Sequence, residues 1–228
     1  MKLFDLEFAC FLYAQFTNYD DSYLQFLKST NNNPDLSNPK HRKALLTWLN
    51  KWGCRQFAKE HHGHASLEIS SWHKQFSSYL FGRGKHLFNL SEDEINSIIE
   101  PYDVLSSKIA SYRNEETAVF FGPTGAAKIL FAIRPLALIP WDVSMRNNFG
   151  YDDSGKSYSK YLILVKAMLK KIEDECNRNG FTLLKLPKKL GRNHSTLPKL
   201  IDEYHWVTIT KKCIPPKHSI LKKWLEWS

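Results

Sequence analysis

The sequence predicts an all-α protein, folded as one unit over its 228 residues, with two small helical lobes that share a cleft. Residues 158–176 give the clearest support, because their apolar side chains recur at helical spacing on one stripe. Start and stop signals typical of helices occur along the rest of the chain. Only residues 205–210 have the composition of a strand, and that segment is short.

The first helices are predicted from the spacing of apolar residues. Residues 3–12 form an apolar run that Asp5 and Glu7 interrupt, so we expect a buried first helix and not a signal peptide. Leucines and a tryptophan at helical spacing predict a second helix near residues 41–52, and a similar pattern predicts a third within residues 67–80.

The later helices are predicted from their end signals. Ser91 and Glu94 form a capping-box pattern that begins a helix, and Pro101 is expected in the first turn of another. The helix of residues 158–176 should stop at the Asn-Gly pair of residues 179–180. Breaks rich in glycine, proline or asparagine are expected at residues 31–34, 82–84, 152–155 and 215–216.

Composition excludes several classes of protein. The chain is 43% hydrophobic and 14% aromatic, which is enough for a sizeable core, and no stretch reaches the ~18 apolar residues of a membrane span. No two cysteines have CxxC spacing, so we expect reduced thiols in a cytosolic protein and neither an iron–sulfur cluster nor a structural zinc. The cysteines are Cys10, Cys54, Cys176 and Cys213. A histidine cluster is more typical of a solvated loop than of a metal site; it comprises His61, His62 and His64.

The positive charge is concentrated in the C-terminal third. Residues 1–155 contain 16 Lys+Arg and 17 Asp+Glu, whereas residues 156–228 contain 16 and 6, a net charge of +10. This asymmetry favours a polyanionic partner, either nucleic acid or an acidic membrane surface, although a solvated charged face is the alternative. The lysines expected to attract phosphate are Lys156, Lys160, Lys188, Lys189, Lys211, Lys212, Lys222 and Lys223.

Residues 119–150 carry the chemistry that we predict. Gly122 to Gly125 form a tight turn, followed by the small-residue helix of residues 126–133. A turn that feeds a helix N-terminus presents free backbone N–H groups, and these can hold a phosphate. Asp142 then lies at the start of the next helix, close to such a phosphate. Because aspartate is also a favoured N-cap residue, a purely structural role for Asp142 stays open.

This pattern resembles the helix-hairpin-helix DNA glycosylases, in which a hairpin is followed by a Gly/Pro-rich loop and an essential aspartate. The matching residues are Gly122, Gly125, Ala126, Pro140, Asp142, Arg146 and Gly150. The resemblance implies a helix-hairpin-helix motif at the cleft, a base flipped out of DNA and Asp142 as the catalytic carboxylate that supports its hydrolytic release. It also implies DNA contacts from residues of the hairpin and the two helices after it, and a monovalent cation held by loop carbonyls as an option. Those DNA-contacting residues are Gly122, Thr124, Gly125, Ala126, Lys128 and Arg146.

Two departures from the family pattern refine this expectation. Phe120 replaces the first hairpin glycine, and Thr124 stands where bifunctional members carry a Schiff-base lysine. A hydroxyl cannot form an imine, so the resemblance implies a monofunctional glycosylase with water as its nucleophile. Lys128, one helical turn beyond Thr124, is the alternative amine, and a phosphate or solvent contact is its simpler role.

The target base stays open between two classes. The family implies repair of alkylated or oxidised bases, whereas a looser resemblance to bacterial phage-defence glycosylases implies glucosylated hydroxymethylcytosine and an antiviral role. Candidates to line the base pocket are Trp52, Arg55, Gln56 and Trp141. A core tryptophan with surface neighbours is the alternative for the first three.

A non-catalytic DNA-binding protein with the same hairpin and basic region is the main rival interpretation. A membrane-surface or RNA-binding helical protein is a more distant one. The expectation from sequence is a cytoplasmic monomer that has DNA as its partner and makes no membrane contact.

Overall fold

A computed structural model of the chain describes residues 1–114, 116–217 and 220. These residues are mainly helical, with one small antiparallel pair of strands. The helices are α1 (Leu3–Phe16), α2 (Tyr19–Ser29), α3 (Pro39–Lys51), α4 (His62–Phe76), α5 (Glu92–Asn96), α6 (Ile99–Ser106), α7 (Gly122–Ile133), α8 (Val143–Phe149), α9 (Gly155–Arg178), α10 (Leu186–Lys189) and α11 (Leu197–His205). The strands are β1 (Ile109–Arg113) and β2 (Thr117–Phe120). Short 3₁₀ turns occur at Lys59–His61, Leu87–Asn89 and Leu183–Lys185, and a π-helical turn at Trp206–Thr210 continues α11.

The predicted helix of residues 158–176 is confirmed as the central part of α9. Ser154 caps this helix by accepting a hydrogen bond from the Ser157 backbone N–H (3.2 Å), and Asn179 follows its last turn. The capping box at Ser91 and Glu94 is likewise present at the start of α5. The N-terminal helix and the helix near residues 41–52 are confirmed as α1 and α3, with ends shifted by a few residues.

The strand prediction at residues 205–210 is wrong. His205 ends α11, and Trp206–Thr210 form the π-helical turn, so the aromatic and β-branched composition of this segment does not decide its structure. The strands lie instead at β1 and β2, which pair in antiparallel register from Arg113–Thr117 to Ile109–Phe120, with an irregularity between residues 109 and 111. The described residues are therefore mainly helical, as predicted, with this small sheet as the addition that the sequence did not indicate.

One connected hydrophobic cluster takes side chains from α1 through to α11. Helix α7 lies inside it, with every residue from Gly125 to Ile133 buried except Lys128. The long helix α9 turns one apolar face to α6 and α11 and its charged face outwards. Among the described residues, no helix is both long and apolar enough to cross a bilayer.

Candidate functional site

A cavity of about 290 Å³ opens beside Asp142. Aromatic side chains form much of its wall, and charged or hydroxyl groups reach it from several different elements of the fold. The aromatic lining residues are Tyr13, Tyr19, Trp52, Trp141 and Trp206. The polar ones are Thr124, Lys128, Asp142 and Asp202. Concave sites of this size and mixed character are typical of small-ligand pockets.

Asp142 both caps a helix and lines this pocket. Its Oδ1 accepts a hydrogen bond from the Met145 backbone N–H (2.9 Å), which makes it the N-cap of α8. Its Oδ2 accepts a hydrogen bond from the Thr210 hydroxyl (2.9 Å), so the π-helical turn fixes the carboxylate from the other side. Each carboxylate oxygen has two lone pairs, so both retain capacity for a ligand or a water molecule.

Trp141 is a rigid part of the pocket wall. The side chain is almost fully buried, and its Nε1–H donates a hydrogen bond to the Tyr102 hydroxyl (3.0 Å). Its ring stacks on Tyr161 with the centroids 5.4 Å apart. Because α6 and α9 supply these partners, the packing of those two helices determines the position of the ring.

Lys128 and Trp52 form another side of the pocket. The Lys128 ammonium group donates a hydrogen bond to the Trp52 carbonyl oxygen (2.7 Å) and lies 5.5 Å from the centroid of the Trp52 ring. Thr124, one turn earlier on α7, accepts a hydrogen bond from Arg146 (3.2 Å). Of the expected pocket residues, Trp52 and Trp141 thus line the cavity that Asp142 faces.

Arg55 and Gln56 do not line this cavity. They border a separate surface depression near β1, beside Tyr112. The Gln56 side chain donates a hydrogen bond to the Phe121 carbonyl oxygen (2.8 Å), so it holds the start of α7 in place. A role in reading a base in the Asp142 pocket does not fit these positions.

Arg146 lies behind the pocket wall. Its side chain is 7% exposed, pairs with Asp153 at 2.7 Å and lies with its guanidinium carbon 5.5 Å from the Trp141 ring centroid. A group that is buried and already paired cannot reach a DNA phosphate in this conformation. The prediction that Arg146 contacts DNA is therefore not supported, and its position explains instead how Trp141 and Thr124 are held.

The segment expected to be a hairpin is the first turn of α7. Gly122, Thr124 and Gly125 are helical, and strand β2 precedes them, so the described chain has a β-hairpin between α6 and α7 where a short helix-to-helix turn was expected. Gly122 has a φ of +65°, which explains the glycine at this position. A Cβ atom on Gly125 would lie 2.7 Å from the Gln56 amide nitrogen and 3.3 Å from the Phe57 ring, so a larger residue here would displace the Gln56 side chain. Ala126 is buried behind this turn.

Sequence reasoning missed Asp202, a second carboxyl group in the pocket. Asp202 lies on α11 and is 9% exposed, and burial raises its pKa to about 7 against the opposing effects of Lys199 and Lys128. The fully buried Lys199 pairs with Glu203 at 2.9 Å and lies 3.9 Å from Asp202. The sequence signal that could have identified this cluster is the spacing of Lys199, Asp202 and Glu203 at i, i+3 and i+4 on one short helix. In a sequence, such a pattern normally indicates a solvent-exposed helix face.

The basic C-terminal region is not uniformly open to solvent. Lys199 is buried, and Arg192 pairs with Asp20 and with Glu203 (2.6 Å), so these two cations are neutralised inside the protein. Lys211 is exposed and lies 4.9 Å from the Trp206 ring at the pocket. The other exposed lysines that the sequence singled out are Lys156, Lys160, Lys188, Lys189 and Lys212, whereas Lys222 and Lys223 lie outside the described residues.

The histidine cluster has structural partners. His62 lies within hydrogen-bonding distance of Asn50 (3.0 Å), and the His61 and His64 rings pack against Tyr112. Within residues 1–114, 116–217 and 220, no group of three or more His, Cys, Asp or Glu side chains is arranged to hold a metal ion.

Comparison of the chain with protein-family models, with curated proteins and with solved structures found no match.

Proposed function

We propose that this protein is a DNA glycosylase that hydrolyses the N-glycosidic bond of a flipped base, with Asp142 as its catalytic carboxylate. One observation carries the proposal: Asp142 lines a cavity of about 290 Å³ whose walls are largely aromatic. Enzymes that act on a flipped base hold it between aromatic rings and read its edge by hydrogen bonds. An anionic group beside such a pocket has the charge that the reaction requires.

The reaction develops positive charge on the sugar. As the bond between C1′ and the base nitrogen breaks, its electron pair leaves with the base and the sugar becomes cationic. Asp142 as carboxylate would stabilise that cation and orient a water molecule whose oxygen bonds to C1′. The two hydrogen bonds from Met145 and Thr210 orient the carboxylate and leave lone pairs for the water.

The proposal includes the finer features that the family resemblance implies. DNA would bind in a cleft between two lobes, with the turn from β2 into α7 in the place of the expected helix-hairpin-helix motif; backbone N–H groups of this turn would hold a phosphate, with a monovalent cation as an option. Among the described residues, no side-chain hydrogen bond caps the N-terminus of α7, so the backbone N–H groups of Gly122 and Thr124 are the ones available to such a ligand, since Pro123 has none. The protein would act as a cytoplasmic monomer. The base would be a damaged base or a modified phage base such as glucosylated hydroxymethylcytosine.

A second candidate is a non-catalytic DNA-binding protein. Both oxygens of Asp142 already accept hydrogen bonds from the protein, which is what a structural N-cap would require. The two functions differ in one product, since only the glycosylase leaves abasic sites.

The test is incubation with a panel of modified DNAs, followed by alkali cleavage that reveals abasic sites. Asp142→Asn preserves the N-cap, because asparagine caps as well as aspartate, but it removes the charge. We expect base release to fall by ~10²-fold or more while DNA binding persists. Asp174→Asn, at an exposed position of α9, is the matched control and should match wild type. Full activity of a folded Asp142→Asn variant would contradict the assignment of Asp142 as the catalytic carboxylate. Absence of abasic sites in every DNA tested would favour the non-catalytic DNA-binding protein.

A further inference from the structure

The carboxyl group of Asp202 has no hydrogen-bond partner within residues 1–114, 116–217 and 220. It is nine-tenths buried, it lines the same pocket as Asp142, and its closest cation is the Lys199 ammonium group at 3.9 Å. A buried carboxylate normally accepts several hydrogen bonds or a close ion pair. The geometry at Asp202 therefore does not stabilise a negative charge.

A count of the surrounding charges leads to the same conclusion. The buried cluster contains two cations, Lys199 and Arg192, which contact three carboxyl groups. Those carboxyl groups belong to Asp20, Asp202 and Glu203. If all were ionised, the cluster would carry one uncompensated negative charge, which is costly at the buried Asp202 and Glu203 and less so at Asp20, whose side chain is 31% exposed. The pocket itself adds one cation, Lys128, and one further carboxyl group, Asp142, so the formal excess of carboxyl groups over cations stays at one.

The contacts indicate which carboxyl group holds the remaining proton. Glu203 accepts hydrogen bonds from Arg192 (2.6 Å) and Lys199 (2.9 Å) on Oε1, while its Oε2 is buried without a hydrogen-bond partner among the described residues, and Asp20 pairs with the same two cations. Asp202 accepts none from the described part of the chain. Other titratable groups that face this cluster include Tyr13, whose ring centroid is 4.1 Å from the Lys199 ammonium group, and Cys10, Tyr23 and Tyr161. Burial raises the pKa of each of these four groups, so they are neutral and bring no further positive charge. Burial raises the pKa of Asp202 to about 7, in agreement with this assignment.

We propose that Asp202 is the general acid of the pocket, which gives its proton to the departing base while Asp142 stays ionised beside the sugar. This inference rests on the proposed glycosylase function. Paired carboxyl groups whose surroundings make one acidic and the other neutral are a common division of acid and base roles in active sites. Here Asp202 is the neutral carboxyl group, and it faces the pocket without a hydrogen-bond partner among the described residues. Asp142 is the carboxylate, and it accepts hydrogen bonds from Met145 and Thr210.

The step balances without any additional reagent. The C1′–N bond breaks, its electron pair moves to the base, and the base takes the Asp202 proton. Water adds its oxygen to C1′ and passes a proton through Asp142 to solvent, while Asp202 regains a proton from solvent. The products are the free base and an abasic sugar with a new hydroxyl group.

A general acid also defines the class of base. A neutral base with a basic nitrogen, of the cytosine or adenine type, is a poor leaving group until it is protonated, so it benefits from Asp202. A base that already carries a positive charge, such as 7-methylguanine, departs without an added proton. The pocket is thus suited to neutral bases and gains little from Asp202 on cationic ones.

The test compares single-turnover base release by wild type, Asp202→Asn and the exposed control Asp174→Asn. The DNAs carry one cytosine, 5-hydroxymethylcytosine, glucosylated 5-hydroxymethylcytosine, mispaired adenine or 7-methylguanine. For neutral bases, we expect Asp202→Asn to lose about 10²-fold in rate, the usual scale for a general acid. For 7-methylguanine, any wild-type rate should persist. The wild-type rate should also fall as the pH rises above about 7, whereas the residual rate of Asp202→Asn should not.

Two outcomes separate this inference from the proposed function. If Asp142→Asn is inactive but Asp202→Asn keeps the wild-type rate and pH profile, the general acid is wrong and the glycosylase stands. If Asp202→Asn is impaired as described but Asp142→Asn is fully active, the acid stands and the role of Asp142 is wrong. Carboxyl ¹³C NMR on the full chain adds a readout that does not depend on turnover: one carboxyl group should titrate near neutral pH and be absent in Asp202→Asn. Its absence from wild type would overturn the inference.

Discussion

Gly155 packs closely against α6 at the N-terminus of α9, and Gly155→Ala should lower the stability of the fold. The Gly155 backbone N–H donates a hydrogen bond to Asp103 Oδ1 (2.6 Å). An added Cβ atom would lie far inside van der Waals contact with the Ile99 carbonyl oxygen and 3.0 Å from Asp103 Oδ2. Because a backbone carbonyl cannot rotate away as a flexible side chain can, the two helices would have to separate.

The expected cost follows from three contributions. Overpacking of a close contact costs about 1–3 kcal/mol. Loss of part of the hydrogen bond to the charged Asp103 costs up to about 1.5–3 kcal/mol. Alanine regains up to about 1 kcal/mol of helix propensity. We therefore expect the free energy of unfolding to fall by about 2–4 kcal/mol, which lowers Tm by roughly 4–16 °C in a protein of this size.

The assay is urea and thermal unfolding of the variant beside Gly63→Ala. Gly63 lies in α4 with an ordinary φ, and a Cβ atom there would meet nothing within 4 Å. That control should be neutral or stabilised by about 0.4–1 kcal/mol. Equal stabilities for the two variants would refute the reasoning that α6 and α9 are locked together at Gly155.

Three further predictions concern the pocket and its surroundings. Substitution of four exposed lysines by glutamine should weaken binding to all DNA sequences alike. The slope of log affinity against log salt concentration should become smaller by about one for each of these lysines that contacts a phosphate. An unchanged slope would show that the four lysines do not contact DNA. These lysines are Lys188, Lys189, Lys211 and Lys212. Borohydride added during turnover should trap no protein–DNA adduct, because Thr124 cannot form an imine, and an adduct that disappears in Lys128→Gln would identify that lysine as the amine. Burial lowers the pKa of His205 to about 3, so between about pH 6.5 and pH 3 the unfolded chain binds a proton at this residue and the folded chain does not. The free energy of unfolding of wild type should therefore fall as the pH falls, and it should fall less steeply in His205→Gln. Urea unfolding of both proteins at about pH 4 and pH 7 would measure the difference.

Local patterns in the sequence predicted most of the helices. The apolar stripe of α9 and the capping box of α5 need no tertiary information, and both are present. The β1–β2 hairpin was not predictable in this way, because its strands do not alternate clearly and its turn depends on Asn114 in a left-handed conformation (φ +52°). At residues 205–210, continuation of α11 overrides the β propensity of the side chains.

The candidate site was predictable only in part, for a similar reason. Trp52, Trp141 and Asp142 do line one pocket, although each was predicted from its immediate neighbours in the chain. Asp202 was not foreseen because its raised pKa depends on burial in the folded chain and on its neighbours in the pocket, neither of which spacing reveals. Arg146 was misread for the converse reason, since a cation in sequence becomes a buried structural group once Asp153 pairs with it.

The π-helical turn after α11 has a consequence for sequence variation. Asp202, Trp206 and Thr210 follow one another at intervals of four residues, and in a straight α-helix the third would be rotated by about 80° from the first. The wider π turn brings Thr210 back to the same side, where it reaches Asp142. Substitutions within the turn should therefore be tolerated far better than a change in its length. Deletion of one residue would restore ordinary helical spacing and carry the Thr210 hydroxyl away from the carboxylate that it holds.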